Sequence, residues 1–209
     1  MRRDGAPLPS LDEIVARLDA HRDPVVLGDV APETGESAVL CVLYDDHGGP
    51  HVLLTRRSPK MRHHAHEVSF PGGRRDDTDA NLWSTALREA EEEVALDPST
   101  VTEVGGLDRF TTVGSRSLIH PFVAVSETVP DVRVASPNEV EAIVRVPIAE
   151  LLRADVWREE IWGIRDLGPR ALTFFEIEGD TIWGATGSML RQLLAIATGT
   201  DGSILGGPG

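Results

Sequence analysis

The sequence predicts an α+β protein with one main core. Short apolar, strand-like runs dominate both halves of the chain, with only a few helical patterns among them. Strands and helices do not alternate regularly, so a parallel Rossmann-type sheet is a poor fit. The length of 209 residues suits one domain with extensions. Such a chain buries about 70% of its unfolded surface and needs no disulfide or metal merely to fold.

Residues 1–9 read as a lead-in. Ser10 and Glu13 have capping-box spacing, and Leu11, Ile14, Val15 and Leu18 then form one apolar stripe, so a helix starts there. Residues 23–36, with Pro24 and Pro32, read as loop. Residues 38–44 and 51–56 read as two strands, and the turn-rich Asp45-Asp46-His47-Gly48-Gly49-Pro50 between them predicts a hairpin. A third short strand over 67–70 ends at Pro71-Gly72-Gly73, and a polar loop follows. The strongest helical pattern covers about 82–96, closed by Pro98. Further strands are predicted over 104–110, 122–125, 142–146, 160–164, 172–177 and 181–183, with helices over 148–153 and 186–197. The last helix sets Met189, Leu193, Leu194 and Ala197 on one side. The division expected is a lead-in over 1–35, a main domain over 36–198 and a flexible Gly-rich tail over 199–209.

Composition narrows the function classes. There are 34 acidic and 20 basic residues, a net charge of −14, which repels polyanions and argues against nucleic-acid binding. A single cysteine, Cys41, excludes an intrachain disulfide and reads as a small core residue. The longest apolar run in the first half, 38–44, falls far short of the ~20 residues of a membrane-spanning helix. Met1-Arg2-Arg3-Asp4 opens no apolar signal core, so a soluble, cytoplasmic protein is expected.

The chemistry concentrates in Arg88-Glu89-Ala90-Glu91-Glu92-Glu93-Val94. At ~100° per residue, Trp83, Leu87, Ala90 and Val94 share one helix face, and Glu89, Glu92 and Glu93 fall on roughly the opposite side. Like charges three and four apart destabilise a helix. A solvated acidic face is the plain reading; a cluster of hard oxygen ligands for Mg²⁺ or Mn²⁺ is the functional one.

With the upstream Gly72-Gly73 turn, this stretch resembles the Nudix box, Ala95 standing where the family has glycine. The loop is one residue longer than the general box, so the family's loop glutamate falls on no glutamate here, and Asp76 or Asp79 is its candidate substitute. The longer loop is similar to the coenzyme A pyrophosphatase branch of that family. So are Leu53-Leu54-Thr55-Arg56-Arg57-Ser58, Met61-Arg62, His64 and Glu67-Val68-Ser69-Phe70-Pro71-Gly72-Gly73, with His66 where the branch usually has glycine. Asn138-Glu139-Val140 and Ile182-Trp183-Gly184-Ala185-Thr186 extend the resemblance over roughly 36–198.

The resemblance implies an α/β/α sandwich around a mixed sheet. It also implies metal-dependent hydrolysis of coenzyme A or acyl-coenzyme A to (acyl-)4′-phosphopantetheine and adenosine 3′,5′-bisphosphate. Glu89, Glu92 and Glu93 are implied as the Mg²⁺ or Mn²⁺ ligands, and Arg88 joins them in the catalytic set by holding the loop through a carboxylate. Gly72 and Gly73 are implied to shape the turn to the metal. The general base stays open between Glu89, Glu139 and Glu141. Arg56, Arg57 and Arg62, together with Gly72 and Gly73, are the candidate substrate-binding residues; the arginines lie in a basic cluster with Lys60, His63 and His64, and guanidinium suits bidentate phosphate contacts. Trp83 reads as core, while Trp162 and Trp183 could pack on an adenine or on the sheet. A small-molecule substrate is expected, with no nucleic acid and no membrane as partner, and a homodimer is compatible. Two rival readings keep the fold: a pyrophosphatase for ADP-ribose, NADH or nucleoside triphosphates, and a catalytically silent nucleotide-binding module.

Overall fold

A computed structural model describes residues 7–21, 23–27, 35–61, 65–111, 117–164 and 168–200. Helix α1 (Leu11–Asp19) starts with the predicted capping box: Glu13 N–H donates to the Ser10 hydroxyl, and Ser10 N–H donates to the Glu13 carboxylate. Each side chain satisfies a backbone donor that a helix start otherwise leaves orphaned. After β1 (Val26–Leu27), strands β2 (Gly35–Asp46) and β3 (Gly49–Arg57) form the expected hairpin, with Gly48 supplying φ +97°. Along β2, Ala38, Leu40, Val42 and Tyr44 enter one core cluster while Cys41 and Leu43 enter the other. Burial on both faces explains why this strand reads as a continuous apolar run rather than an alternating one.

Strands β4 (Val68–Ser69) and β5 (Gly72–Arg74) lead into helix α2 (Leu82–Val94). Then come β6 (Val101–Gly106), β7 (Arg109–Thr111), β8 (Ser117–Ser126), β9 (Val140–Pro147) and the short α3 (Ile148–Leu151). A second sheet follows, β10 (Trp157–Ile164), β11 (Gly168–Ile177) and β12 (Asp180–Ile182), and α4 (Gly184–Thr198) comes last.

The first nine strands make one mixed sheet along β1-β7-β8-β2-β3-β4, with β5 on β2, β6 on β8 and β9 on β3. Pairs β1–β7 and β2–β8 are parallel and the rest antiparallel. Helix α2 covers one face through Ala86, Ala90 and Val94. On the other face α1, α4, Phe175 of β11 and Ile182 of β12 share a core with Cys41, Leu43, Val52 and Leu54. The result is an α+β fold with helices on both faces of a mixed sheet.

The run expected as one strand over 104–110 is two, β6 and β7. At the break Leu107 N–H donates to Pro121 O, Asp108 N–H donates to Gln192 of α4, and the Asp108 carboxylate accepts from Val25 N–H. The backbone leaves the ladder there to join the lead-in segment and the last helix. Helix α4 is buried almost all round, beyond the one-sided stripe expected. The expected tail falls mostly on 201–209, outside the described residues. Among the described residues no helix is long and apolar enough to cross a membrane.

Candidate active site

Packing of Ala86 and Ala90 against β2 sets the rotation of α2. Glu93, seven residues after Ala86, lies on that same stripe and is 5% exposed. The expectation that Glu89, Glu92 and Glu93 fall together opposite the Trp83, Leu87, Ala90 and Val94 face is therefore corrected for Glu93. The three side chains grade from buried Glu93 through half-buried Glu89 to Glu92, which is 59% exposed.

Strand β5 brings two glycines against this helix. A Cβ on Gly73 would stand 2.4 Å from the Glu89 carboxylate, so the missing side chain is the space Glu89 occupies. A Cβ on Gly72 would meet the backbone oxygen of Ala38 at 2.3 Å, and its φ of +155° suits glycine.

The carboxylates feel each other. Burial, then the charge of Glu89, pushes the Glu93 carboxyl up to about 8, against relief from Arg57 and the Gly72 backbone. Burial also raises Glu89, with Arg88 opposing it. The charge of Glu139 adds the smallest upward push on both. Its backbone is pinned by Ser58 N–H donating to Glu139 O at 2.8 Å and Glu139 N–H donating to Ser136 O at 3.0 Å.

Arg88 spans the helix and its loop. Its Nε and Nη2 donate to the two oxygens of Asp79 at 3.0 and 3.1 Å, and Nη2 also to Arg74 O at 3.0 Å. Nη1 reaches Glu89 at 3.0 Å and Glu92 at 3.2 Å. Asp79 further accepts from Asp76 N–H and the Thr85 hydroxyl. The Arg88 guanidinium holds the Asp79 carboxyl well below the usual carboxylate range. Asp76 instead turns its carboxylate onto Thr78, inside the loop. Of the two loop acids, Asp79 is thus the one tied to the acidic helix.

The basic cluster divides. A register shift between Arg56 and Arg57 separates the two arginines. Arg56 donates from Nε and Nη2 to Asp180 of β12, both at 2.7 Å, so its fork is occupied. Arg57 acts on Glu93, and its Nε is buried without a partner. Lys60 reaches Asn138 at 3.4 Å. Arg62, His63 and His64 lie outside the described residues. His66 adopts φ +63°, the left-handed backbone that explains glycine at this point of the resembled pattern, and its Nδ1 lies 3.3 Å from Glu141. Trp83 meets Phe122 edge-on against the α2 core, as expected of a core residue. Trp162 and Trp183 group instead around Phe174 of the second sheet. Asp180 and Thr85, which hold Arg56 and Asp79, carried no sequence signal, since neither belongs to a motif and Asp180 lies 124 residues from its partner.

Among the described residues no three acidic, histidine or cysteine side chains close around one point. Two do face the same turn, Glu89 and Glu93, and Glu93 Oε2 is buried with no hydrogen-bond partner. A desolvated carboxylate pair with an unpaired oxygen fits a divalent cation, because a cation relieves both the repulsion and the desolvation. Arg88, already multiply paired, is a positioning group in this arrangement.

The NUDIX domain family matches residues 35–164. The chain is 39% identical over 146 residues to the uncharacterized Nudix hydrolase NudL of Escherichia coli (strain SMS-3-5 / SECEC), covering 69% of this chain and 73% of that protein. It is 33% identical over 186 residues to the protein of the same name from Shigella flexneri serotype 5b (strain 8401), covering 88% and 93%. A solved NUDIX hydrolase from Alicyclobacillus acidocaldarius superposes with a TM-score of 0.51 at 18% identity, over 78% of this chain and 92% of that one.

Proposed function

The chain belongs to the Nudix family of hydrolases acting on pyrophosphate bonds, and we propose that its substrate is coenzyme A or an acyl-coenzyme A. Water adds to one phosphorus of the diphosphate, the bridging P–O bond breaks, and (acyl-)4′-phosphopantetheine and adenosine 3′,5′-bisphosphate leave. The observation that carries this reading is the run 53–73. It resembles the coenzyme A branch in sequence, and it ends by bringing Arg57 and Gly72-Gly73 to the Glu89–Glu93 pair.

Glu89 and Glu93 would hold Mg²⁺ or Mn²⁺, with Glu92 at the exposed rim; the bound ion supplies charge neutralisation on the diphosphate and a more acidic water. Arg57 pairs with a phosphate oxygen. Arg88 keeps the loop and the helix in register through Asp79. Arg56 contributes indirectly, by fixing β3 to β12. Of the candidate bases outside the helix, Glu139 would take the proton of the attacking water, since Glu141 is engaged by His66.

The test is a substrate panel of coenzyme A, acetyl-coenzyme A, ADP-ribose, NADH and a nucleoside triphosphate, with Mn²⁺ and with EDTA, read by mass spectrometry. Metal-dependent release of 4′-phosphopantetheine and adenosine 3′,5′-bisphosphate is expected. Turnover of ADP-ribose but not coenzyme A would refute the substrate assignment and keep the hydrolase. No turnover of any member would point to a nucleotide-binding module.

A further inference from the structure

Helix α2 ends on a loop. The last carbonyls of a helix have no partner within it. Here Glu93 O accepts from Ala135 N–H at 3.0 Å and from Ser136 N–H at 3.3 Å, and Val94 O accepts from Arg133 N–H at 3.0 Å. The residue proposed to hold the ion through its carboxylate thus carries the loop on its carbonyl. The chain then turns. Ser136 O accepts from Glu139 N–H at 3.0 Å and from Val140 N–H at 2.8 Å, which closes a turn over Ser136-Pro137-Asn138-Glu139. Serine at the first position and proline at the second suit such a turn, because the ring pre-sets the backbone angle that the second position needs. Beyond the turn, Ser58 N–H donates to Glu139 O at 2.8 Å, and Lys60 Nζ reaches Asn138 Oδ1 at 3.4 Å. Main-chain hydrogen bonds therefore run from Glu93 through Ser136 and Glu139 to the residue that follows Arg57.

The Glu139 side chain has no such support. It is exposed, and no hydrogen bond or ion pair to another described residue holds its carboxylate. Its position is set through its backbone. We propose that the Ser136–Glu139 turn is what fixes Glu139 relative to Glu93, and that Pro137 is its positioning residue. The proposal rests on the reading of Glu139 as the base. Pro137 is exposed and touches no reacting atom; it acts by confining the turn to one backbone conformation. Glycine at 137 leaves every hydrogen-bonding group of this path in place and frees the backbone between them.

The test is a double-mutant cycle on the full chain: wild type, Pro137→Gly, Glu139→Gln and the double variant. Turnover of coenzyme A, or of whichever panel member is cleaved, is measured with Mn²⁺ binding on the same samples. Glu139→Gln is expected to lower kcat about a hundredfold. Pro137→Gly is expected to lower kcat about tenfold, with KM and Mn²⁺ affinity within about twofold of the wild type, because only the reacting geometry is disturbed. The double variant is expected to match Glu139→Gln within about twofold, since a turn that acts through Glu139 then has nothing left to aim. A loosened loop of merely structural role would cost the same factor in both backgrounds. Pro137→Ala keeps the preference for negative φ and is expected to lose less than Pro137→Gly. Wild-type kcat in Pro137→Gly, a loss that persists undiminished in the double variant, or a loss that falls on KM or Mn²⁺ affinity would each overturn the proposal and leave the reading of Glu139 standing. Wild-type turnover in Glu139→Gln would overturn that reading and the proposal with it.

Discussion

Glu93 and the glycines opposite it set the chemistry at the scale of single residues. The Glu93 carboxyl shifts from an ordinary 4.5 to about 8 because it is buried beside Glu89. Between those values the folded chain binds a proton that the unfolded chain has released. Stability of the metal-free protein therefore falls as pH rises through that window. Glu93→Gln removes the slope. In EDTA its melting temperature should exceed the wild type's at pH 8 and match it near pH 4.5; an equal difference at both pH values would refute the assignment. The two glycines separate fold from function. Gly72→Ala drives a Cβ into backbone and should cost at least about 2 kcal/mol of stability in urea unfolding. Gly73→Ala meets only the mobile end of Glu89. It should leave stability within about 1 kcal/mol and lower turnover about a hundredfold, through displacement of one carboxylate. Equal losses of stability in the two variants would contradict that division. The acidic cluster was legible because three glutamates so close need a reason to be there. That Glu93 alone is buried was not, since the helical wheel fixes spacing but not which face the sheet selects.

The elements show where pattern and packing part. Helix α2 was legible from its stripe and from the Pro98 that closes it, yet its C-terminus rests on Ala95 at φ +54°, a conformation that suits glycine. Ala95→Gly relieves it and should raise stability by about 0.5–1 kcal/mol, read as a shift of the urea midpoint at constant slope. A lower midpoint would show that Ala95 is held by packing rather than strained. Strand β5 escaped the sequence reading because Gly-Gly-Arg has no strand propensity; its place on β2 is tertiary, taken where Gly72 and Gly73 permit the close approach to Ala38 and Glu89. The loop acid was unresolved because the extra residue breaks the count. Geometry favours Asp79, which Arg88 grips with two of its nitrogens.

At the scale of the molecule, the two sheets are joined near the site by the Arg56–Asp180 pair, its carboxylate side chain only 6% exposed. Asp180→Ala leaves a half-buried guanidinium without its partner and should cost about 2 kcal/mol. Unfolding that is unchanged in Asp180→Ala would mean that the sheets are held by the apolar core alone. Arg56 was expected on phosphate, and a basic run cannot by itself tell substrate contacts from ties between sheets; the partner lies 124 residues away. The α+β class was legible because mixed strand order excludes regular alternation, whereas the parallel β2–β8 pairing that centres the sheet needed the third dimension.

The measurement that bears most directly on the account is coenzyme A cleavage by wild type and Glu93→Gln side by side, with Mn²⁺ binding followed on the same samples. The account predicts that the wild type binds Mn²⁺ and releases 4′-phosphopantetheine and adenosine 3′,5′-bisphosphate only while metal is free. It predicts that Glu93→Gln folds, binds the ion more weakly and turns over about a thousandfold more slowly, the several kcal/mol that a bound metal contributes. A folded Glu93→Gln chain that binds Mn²⁺ and cleaves coenzyme A at the wild-type rate would contradict it.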